Sequence, residues 1–209
     1  EACAVGVPVV SSLPATAPTI TDTDAHTVSG TNYTNDNTPL LSGTADKGQV
    51  VNIYADGGST PIGTVTASSS NGSWSFSPST ALSQGSHSFV ATATDAAGNT
   101  ASSATYMVTV DTSTPAPTIT SIGGSDNIVS GQSGDNTIVG TAEAGSTVTI
   151  KSSGGNTLGT ATADNTGAWT YSLTTNNIST IGQGSSKTIT ATATDSAGNS
   201  ASKTSSQFS

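Results

Sequence analysis

Apolar residues recur at every second position in short runs along this chain. Val51 and Ile53 are two apart, as are Trp74 and Phe76, and Phe89, Ala91 and Ala93. A period of two puts side chains on one face of a β-strand, so each run has one buried face. The residues between them are mostly Thr and Ser, which suit the solvated face of a sheet. Gly57-Gly58, Asn71-Gly72 and Gly98-Asn99 punctuate the runs and read as turns. In the first half the pattern predicts strands over residues 17–21, 39–44, 49–55, 62–67, 73–77, 86–94 and 100–110.

The same pattern then returns. Ala17-Pro18-Thr19-Ile20-Thr21 recurs as Ala116-Pro117-Thr118-Ile119-Thr120, and Val28-Ser29-Gly30 as Val129-Ser130-Gly131. Gly43-Thr44-Ala45-Asp46 recurs as Gly140-Thr141-Ala142-Glu143, and Gly72-Ser73-Trp74-Ser75-Phe76 as Gly167-Ala168-Trp169-Thr170-Tyr171. Ala91-Thr92-Ala93-Thr94-Asp95 and Gly98-Asn99 recur as Ala191-Thr192-Ala193-Thr194-Asp195 and Gly198-Asn199. The order is kept, so these are two tandem copies with small loop insertions. We place domain 1 at residues 17–111, a linker at 112–115 and domain 2 at 116–209, with 1–16 as an N-terminal segment or linker. Each copy has the length of a seven-stranded sandwich with Greek-key connections, about 100 residues.

Composition agrees with an all-β chain. Of 209 residues, 74 are Ser or Thr, while only 8% are charged and 4% aromatic. Disorder is not expected, because β-branched and aromatic residues stand at regular positions. Four Lys, no Arg and a net charge of -9 argue against a nucleic-acid binder. No run approaches the ~18 apolar residues of a membrane helix, and the chain lacks the Glu, Lys, Leu and Arg of coiled coils and bundles. Cys3 stands alone, so no internal disulfide staples the fold. Residue 1 is Glu, and the chain reads as a fragment or processed product.

The chain resembles the bacterial Ig-like domains of long repeat adhesins of Gram-negative bacteria. The resemblance is carried by Gly-Thr-Ala-Asp/Glu at 43–46 and 140–143 and Gly-x-Trp at 72–74 and 167–169. Thr-Asp-x-x-Gly-Asn at 94–99 and 194–199 and the linker Val110-Asp111-Thr112-Ser113-Thr114-Pro115 complete it. It implies two tandem Ig-like Greek-key sandwiches of about seven strands each. It also implies a non-enzymatic stalk segment of a secreted, cell-surface adhesin, active in cell adhesion or biofilm formation. Calcium at domain junctions belongs to several members.

Catalytic chemistry has no obvious carriers. His26 is expected in a solvated loop beside Asp22 and Asp24, and His87 at an exposed strand position. Neither recurs in the other copy, and no nucleophile elbow, P-loop or zinc-protease motif is present. We therefore expect no enzyme activity.

The acids are more informative. In an Ig-like sandwich the loops after the second and sixth strands lie at the N-terminal end of the domain. Asp46 and Glu143 follow the second strand, Asp95 and Asp195 the sixth, and Asp111 stands in the linker. Asp111, Glu143 and Asp195 are therefore expected to converge, and three carboxylates together suit a hard cation with oxygen ligands, Ca²⁺ above all. Asp46 and Asp95 form the corresponding, weaker set in copy one, where Ser12 stands opposite Asp111. The plainer reading is that Asp95 and Asp195 only cap tight turns. Thr112 to Thr114 are expected to add little restraint. The Gly-rich run around Asp126 and Asp135 reads as a connection of the sandwich, and Trp74 and Trp169 as core residues.

Partners are expected to be adjacent Ig-like domains of the same chain, with host surfaces or neighbouring cells reached through other regions. No nucleic acid, no membrane insertion and a monomeric state are expected. Two alternatives stand beside the stalk: a module binding a host glycan or protein, and an accessory unit of a secreted polysaccharide-degrading enzyme.

Overall fold

A computed structural model describes residues 16–209 except 96, 125, 127, 131 and 133. Cys3 and the rest of the N-terminal segment before Thr16 lie outside the described residues. The chain divides into two compact units, Glu1–Asp111 and Thr112–Ser209.

The first unit contains β1 (Thr21–Asp22), β2 (His26–Val28), β3 (Thr31–Thr34), β4 (Leu41–Thr44) and β5 (Val50–Ala55). It continues with β6 (Gly63–Thr66), β7 (Ser73–Phe76), β8 (Gly85–Thr94), β9 (Thr100–Ser102) and β10 (Tyr106–Val110). One sheet runs β1-β4-β7 and the other β2-β3-β10-β8-β5-β6, with β9 beside β8. All pairs are antiparallel except β3–β10, which is parallel through Thr109↔Tyr33 and Val110↔Thr34. The inward residues of β8 alternate without a break, His87, Phe89, Ala91 and Ala93 being buried. Phe89, Ala91 and Ala93 pack with Leu41, Val51, Ile53, Trp74 and Val108 into one core.

The second unit contains β11 (Ser121–Ile122), β12 (Thr137–Thr141), β13 (Thr147–Ser152), β14 (Thr157–Thr162), β15 (Ala168–Ser172), α1 (Thr175–Ile181), β16 (Ile189–Thr194) and β17 (Ser200–Thr204). Its sheets run β11-β12-β15 and β14-β13-β16-β17. Ile138, Val148, Ile150, Trp169, Ile189, Ala191 and Ala193 form its core. On the outer face of β16 and β17, hydroxyls pair rung by rung. Thr190 meets Thr204 at 3.0 Å, Thr192 meets Ser202 at 2.8 Å and Thr194 meets Ser200 at 2.8 Å.

The all-β tandem is as expected, and Trp74 and Trp169 are buried in their cores. Three features differ from the sequence reading. A hairpin, β2–β3, fills residues 26–34, so His26 is an exposed strand residue rather than a loop one. The run 100–110 is two strands, because the Ser103 hydroxyl takes the Ala91 N–H at 3.0 Å and interrupts the ladder. Ser205 does the same to Ile189 in the second unit at 3.1 Å. Finally, α1 replaces a loop, with Thr174 as its N-cap in a capping box with Asn177, and with Ile181 buried.

Candidate metal centre

Each candidate acid sits in a loop whose shape is fixed by its own hydrogen bonds. Asp95 leaves β8 and closes a tight turn. Its Oδ1 accepts the N–H groups of Ala97 (2.9 Å) and Asn99 (2.8 Å), and its Oδ2 accepts Asn99 Nδ2 (2.8 Å). The Asn99 side chain, then the Asn99 backbone, hold this exposed carboxyl below its ordinary value, since both favour the charged form. Asp195 leaves β16 in the same way. Oδ1 accepts from Ala197 N and Asn199 N, both at 2.9 Å, and Oδ2 from Asn199 Nδ2 at 2.8 Å. The turn-capping reading therefore holds at both positions, and the turn aims each carboxylate.

The loops after β4 and β12 form the second pair. The Asp46 carbonyl accepts Gln49 N at 3.1 Å. Its Oδ2 accepts Thr16 N at 3.3 Å and Gln49 Nε2 at 3.4 Å. The Glu143 carbonyl accepts Ser146 N at 3.0 Å and Ser146 Oγ at 2.7 Å. Its Oε2 accepts the Thr114 hydroxyl at 3.0 Å. Thr114 was expected to restrain little; instead it braces one of the candidate ligands. Nothing in its sequence context marks that role, since the bond spans 29 positions.

Asp111 ends the first unit, its N–H donating to the Thr34 carbonyl at 2.9 Å. Within the second unit, Glu143 and Asp195 each offer one carboxylate oxygen, and the two atoms lie within 4.8 Å of each other. Asp46 and Asp95 belong to no group of three possible ligands among the described residues. The residues that precede Thr16, Ser12 included, lie outside the described residues.

Two negative charges at this spacing oppose each other by about 1 kcal/mol in bulk water, and by several times that where water is partly excluded. A Ca²⁺ ion takes oxygen ligands at roughly 2.3–2.6 Å, so oxygens on opposite sides of one ion stand about 5 Å apart. The donor pair is all oxygen and carries two formal charges, which is the chemistry a hard divalent cation selects. Two carboxylates, even if bidentate, would supply at most about four of the six to eight ligands of a Ca²⁺ ion, and further oxygens would have to supply the rest.

Residues 12–112 match the family model of a bacterial Ig-like domain, and residues 125–209 that of a bacterial Ig domain. Among solved structures, the chain is 24% identical to a tetra-tandem repeat in the extending region of a large adhesion protein. That match covers 92% of this chain and 49% of the other, with a TM-score of 0.38. It is also 24% identical to a 1.5-MDa bacterial ice-binding adhesin studied for host cell surface retention, covering 92% and 63%, with a TM-score of 0.40. Fibronectin(III)-like modules of Clostridium thermocellum CbhA are 16% identical over 89% of this chain and 91% of theirs, with a TM-score of 0.50, a likeness of fold alone. The chain spans about half of the first of these structures and under two thirds of the second. No curated protein matches the chain significantly.

Proposed function

The chain belongs to the bacterial Ig-like domains, as a tandem of two, and we propose that it is a spacer segment of a cell-surface adhesin whose domain junction is stiffened by Ca²⁺. The observation that supports this reading is the approach of Glu143 and Asp195 to within 4.8 Å in loops of the second copy. Asp111 stands in the sequence at the start of the linker into that copy. A cation held by these two carboxylates and by that of Asp111 joins the linker to the second copy's loops and removes freedom at the hinge. Repetition of a self-contained sandwich extends reach without new chemistry, and the acidic, Thr- and Ser-rich surface keeps such a stalk soluble. Secretion and display at the cell surface follow from the same reading, as does adjacency to further Ig-like domains.

Calcium that binds only the folded protein stabilises it by mass action, by about 2.7 kcal/mol at a hundred times the dissociation constant. Small-angle scattering and titration calorimetry, in calcium and in chelator, test the proposal. The wild type should take up Ca²⁺ and narrow its distribution of maximum dimensions. Asp111→Ala should lose both effects while keeping two cooperative unfolding transitions. No uptake at millimolar calcium, with unchanged scattering, overturns the calcium junction and leaves the acids as turn formers.

A further inference from the structure

The ion pair found among the described residues lies in the first unit, between His87 and Asp56. His87 was expected to be exposed. It lies instead on the inner face of β8 in register with Phe89, and its side chain is 9% exposed, against 51% for Asp56. Nδ1 is 2.8 Å from Asp56 Oδ2, and Nε2 is 2.9 Å from the carbonyl oxygen of Ser83. A carbonyl oxygen only accepts, and so does an ionised carboxylate, so both short contacts are hydrogen bonds together only when both ring nitrogens carry protons and the ring is an imidazolium. The Ser83 hydroxyl stands 3.4 Å from Nε2 and is placed to donate to that nitrogen once it is bare. The ring thus has two hydrogen-bonding states, one for each protonation state.

Asp56 is itself held. Its Oδ1 accepts Ser88 N at 2.9 Å, and its own N–H donates to the Ser88 carbonyl at 2.8 Å. Its φ of 52° lies in the left-handed region that Asp and Asn tolerate better than most residues. The pair therefore joins two segments that are distant in sequence, the turn after β5 and the run leading into β8. Leu82, next to Ser83 in the chain, lines a groove of about 280 Å³ together with Ile62, Pro78, Ser79, Thr80 and Ala81.

We propose that His87 is a proton-operated latch: as imidazolium it ties the turn at Asp56 to the segment at Ser83, and loss of its proton releases the Ser83 carbonyl and loosens the 78–82 stretch that runs into Ser83 and lines this groove. Burial works against the charge on His87, but the hydrogen bonds to Asp56 and Ser83 and the Asp56 charge outweigh it and raise the pKa above the ordinary 6.5. Burial likewise works against the Asp56 carboxylate, and the Ser88 amide and His87 outweigh it, so that carboxyl is lowered. The two directions agree, as they must for a pair that stabilises each other's charge. Asp56 is the charged group acting on the ring. On β10 the inward neighbours are Val108, directly opposite, and Tyr106; from the facing sheet, the charge of Asp22 acts on Tyr106. A histidine pKa raised in the folded state gives stability that is fully present below the unfolded value and is lost as pH rises through the folded one. In the second unit Lys187 occupies the matching strand position and Ser153 the matching turn position, so that unit is an internal control.

The test is a long-range ¹H–¹⁵N titration of the imidazole rings in the full chain from pH 5 to 9, with His26→Gln to assign the signals. His87 should show two protonated nitrogens at pH 6 and titrate above the peptide value of about 6.5. Backbone amide shifts of residues 56–62 and 79–84 should follow the same midpoint. Asp56→Asn should lower the midpoint by about one unit, a tenfold loss in proton affinity. A neutral ring at pH 6, or a midpoint at or below 6.5, overturns the imidazolium. Amide shifts that ignore the ring titration overturn the latch. If Asp56→Asn fails to fold, the wild-type titration decides alone.

Discussion

In the first unit Gly43 lies where a Cβ would run into the Thr19 carbonyl and stand 2.8 Å from Trp74 Cζ2; in the second, Gly140 stands in the same relation to the Thr118 carbonyl and, at 2.6 Å, to Trp169 Cζ2. Gly63 is closed off by Phe76 in one unit as Gly159 is by Tyr171 in the other. Both indoles also keep a buried Nε1–H that finds no acceptor among the described residues. The units thus agree wherever a backbone must approach a large ring closely, which is the geometry that lets two sheets close over so few aromatic residues. They part at the edges. One adds the hairpin β2–β3 and the His87–Asp56 pair, and the other adds α1. The core is a fixed template, and individuality is confined to what is attached around it.

If that division is correct, damage to the template should be large, and confined to the unit that carries it. Trp74→Ala and Trp169→Ala should each cost about 3–5 kcal/mol, and in calorimetry each should lower only its own unit's transition. Either substitution moving both transitions together would break the comparison. Gly43→Ala and Gly140→Ala come next. The added methyl meets backbone oxygen, which cannot swing aside as a side chain can, so about 2–3 kcal/mol is expected in each unit. A cost under 0.5 kcal/mol in either would show that the ring–glycine approach does not govern packing. Thr174→Ala should be milder, about 1 kcal/mol, and seen only in the second unit, since the cap it removes has no counterpart in the first.

The smallest effects concern acid. Asp95 in the first unit and Asp164 in the second have carboxyls held below 3.8, the former chiefly by Asn99 and the latter by Thr166. A depressed carboxyl gives stability that is present above the unfolded value and is lost as pH falls through the folded one. Both transitions should therefore decline below about pH 4. Asp95→Asn should flatten that limb in the first unit alone. Thermal midpoints from pH 5 down to 2 decide this, and an unchanged acid limb in Asp95→Asn would assign the decline to other carboxyls.

The strands with alternating apolar residues were legible because burial writes itself into a period of two. Val51 with Ile53, Trp74 with Phe76, and Phe89 with Ala91 each point inward as their spacing requires. The same register, continued two residues back from Phe89, also places His87 inside; its polarity hid a signal that the period carried. Its partner Asp56 lies 31 residues away and leaves no local trace. The hairpin β2–β3 was missed because His26-Thr27-Val28 and Thr31-Asn32-Tyr33-Thr34 are short, and β2 is exposed throughout, with no inward face to reveal. The helix had its stop and start signals in Thr174 and Gly182, with Ile178 and Ile181 three apart. Its Asn, Ser and Thr content nonetheless runs against helix propensity, and the packing of Ile181 and Ile178 on the core, with the Thr174–Asn177 capping box, overrides that. The acids could be assigned to loops from sequence. The turn that aims Asp195 was legible in Thr-Asp-x-x-Gly-Asn, whereas the brace from Thr114 to Glu143 was not.

The hydroxyl rungs of β16 and β17 have a consequence for the medium the protein tolerates. Thr190–Thr204, Thr192–Ser202 and Thr194–Ser200 close across the strands with no charge in any member. Dissolved ions screen attraction between exposed charges over about 10 Å at 0.1 M salt and 3 Å at 1 M, but they have little to act on in a neutral pair. A face knitted in this way should hold equally well in brine and in nearly salt-free water, leaving ionic strength to act on the few acids at the loops rather than on the sheet itself.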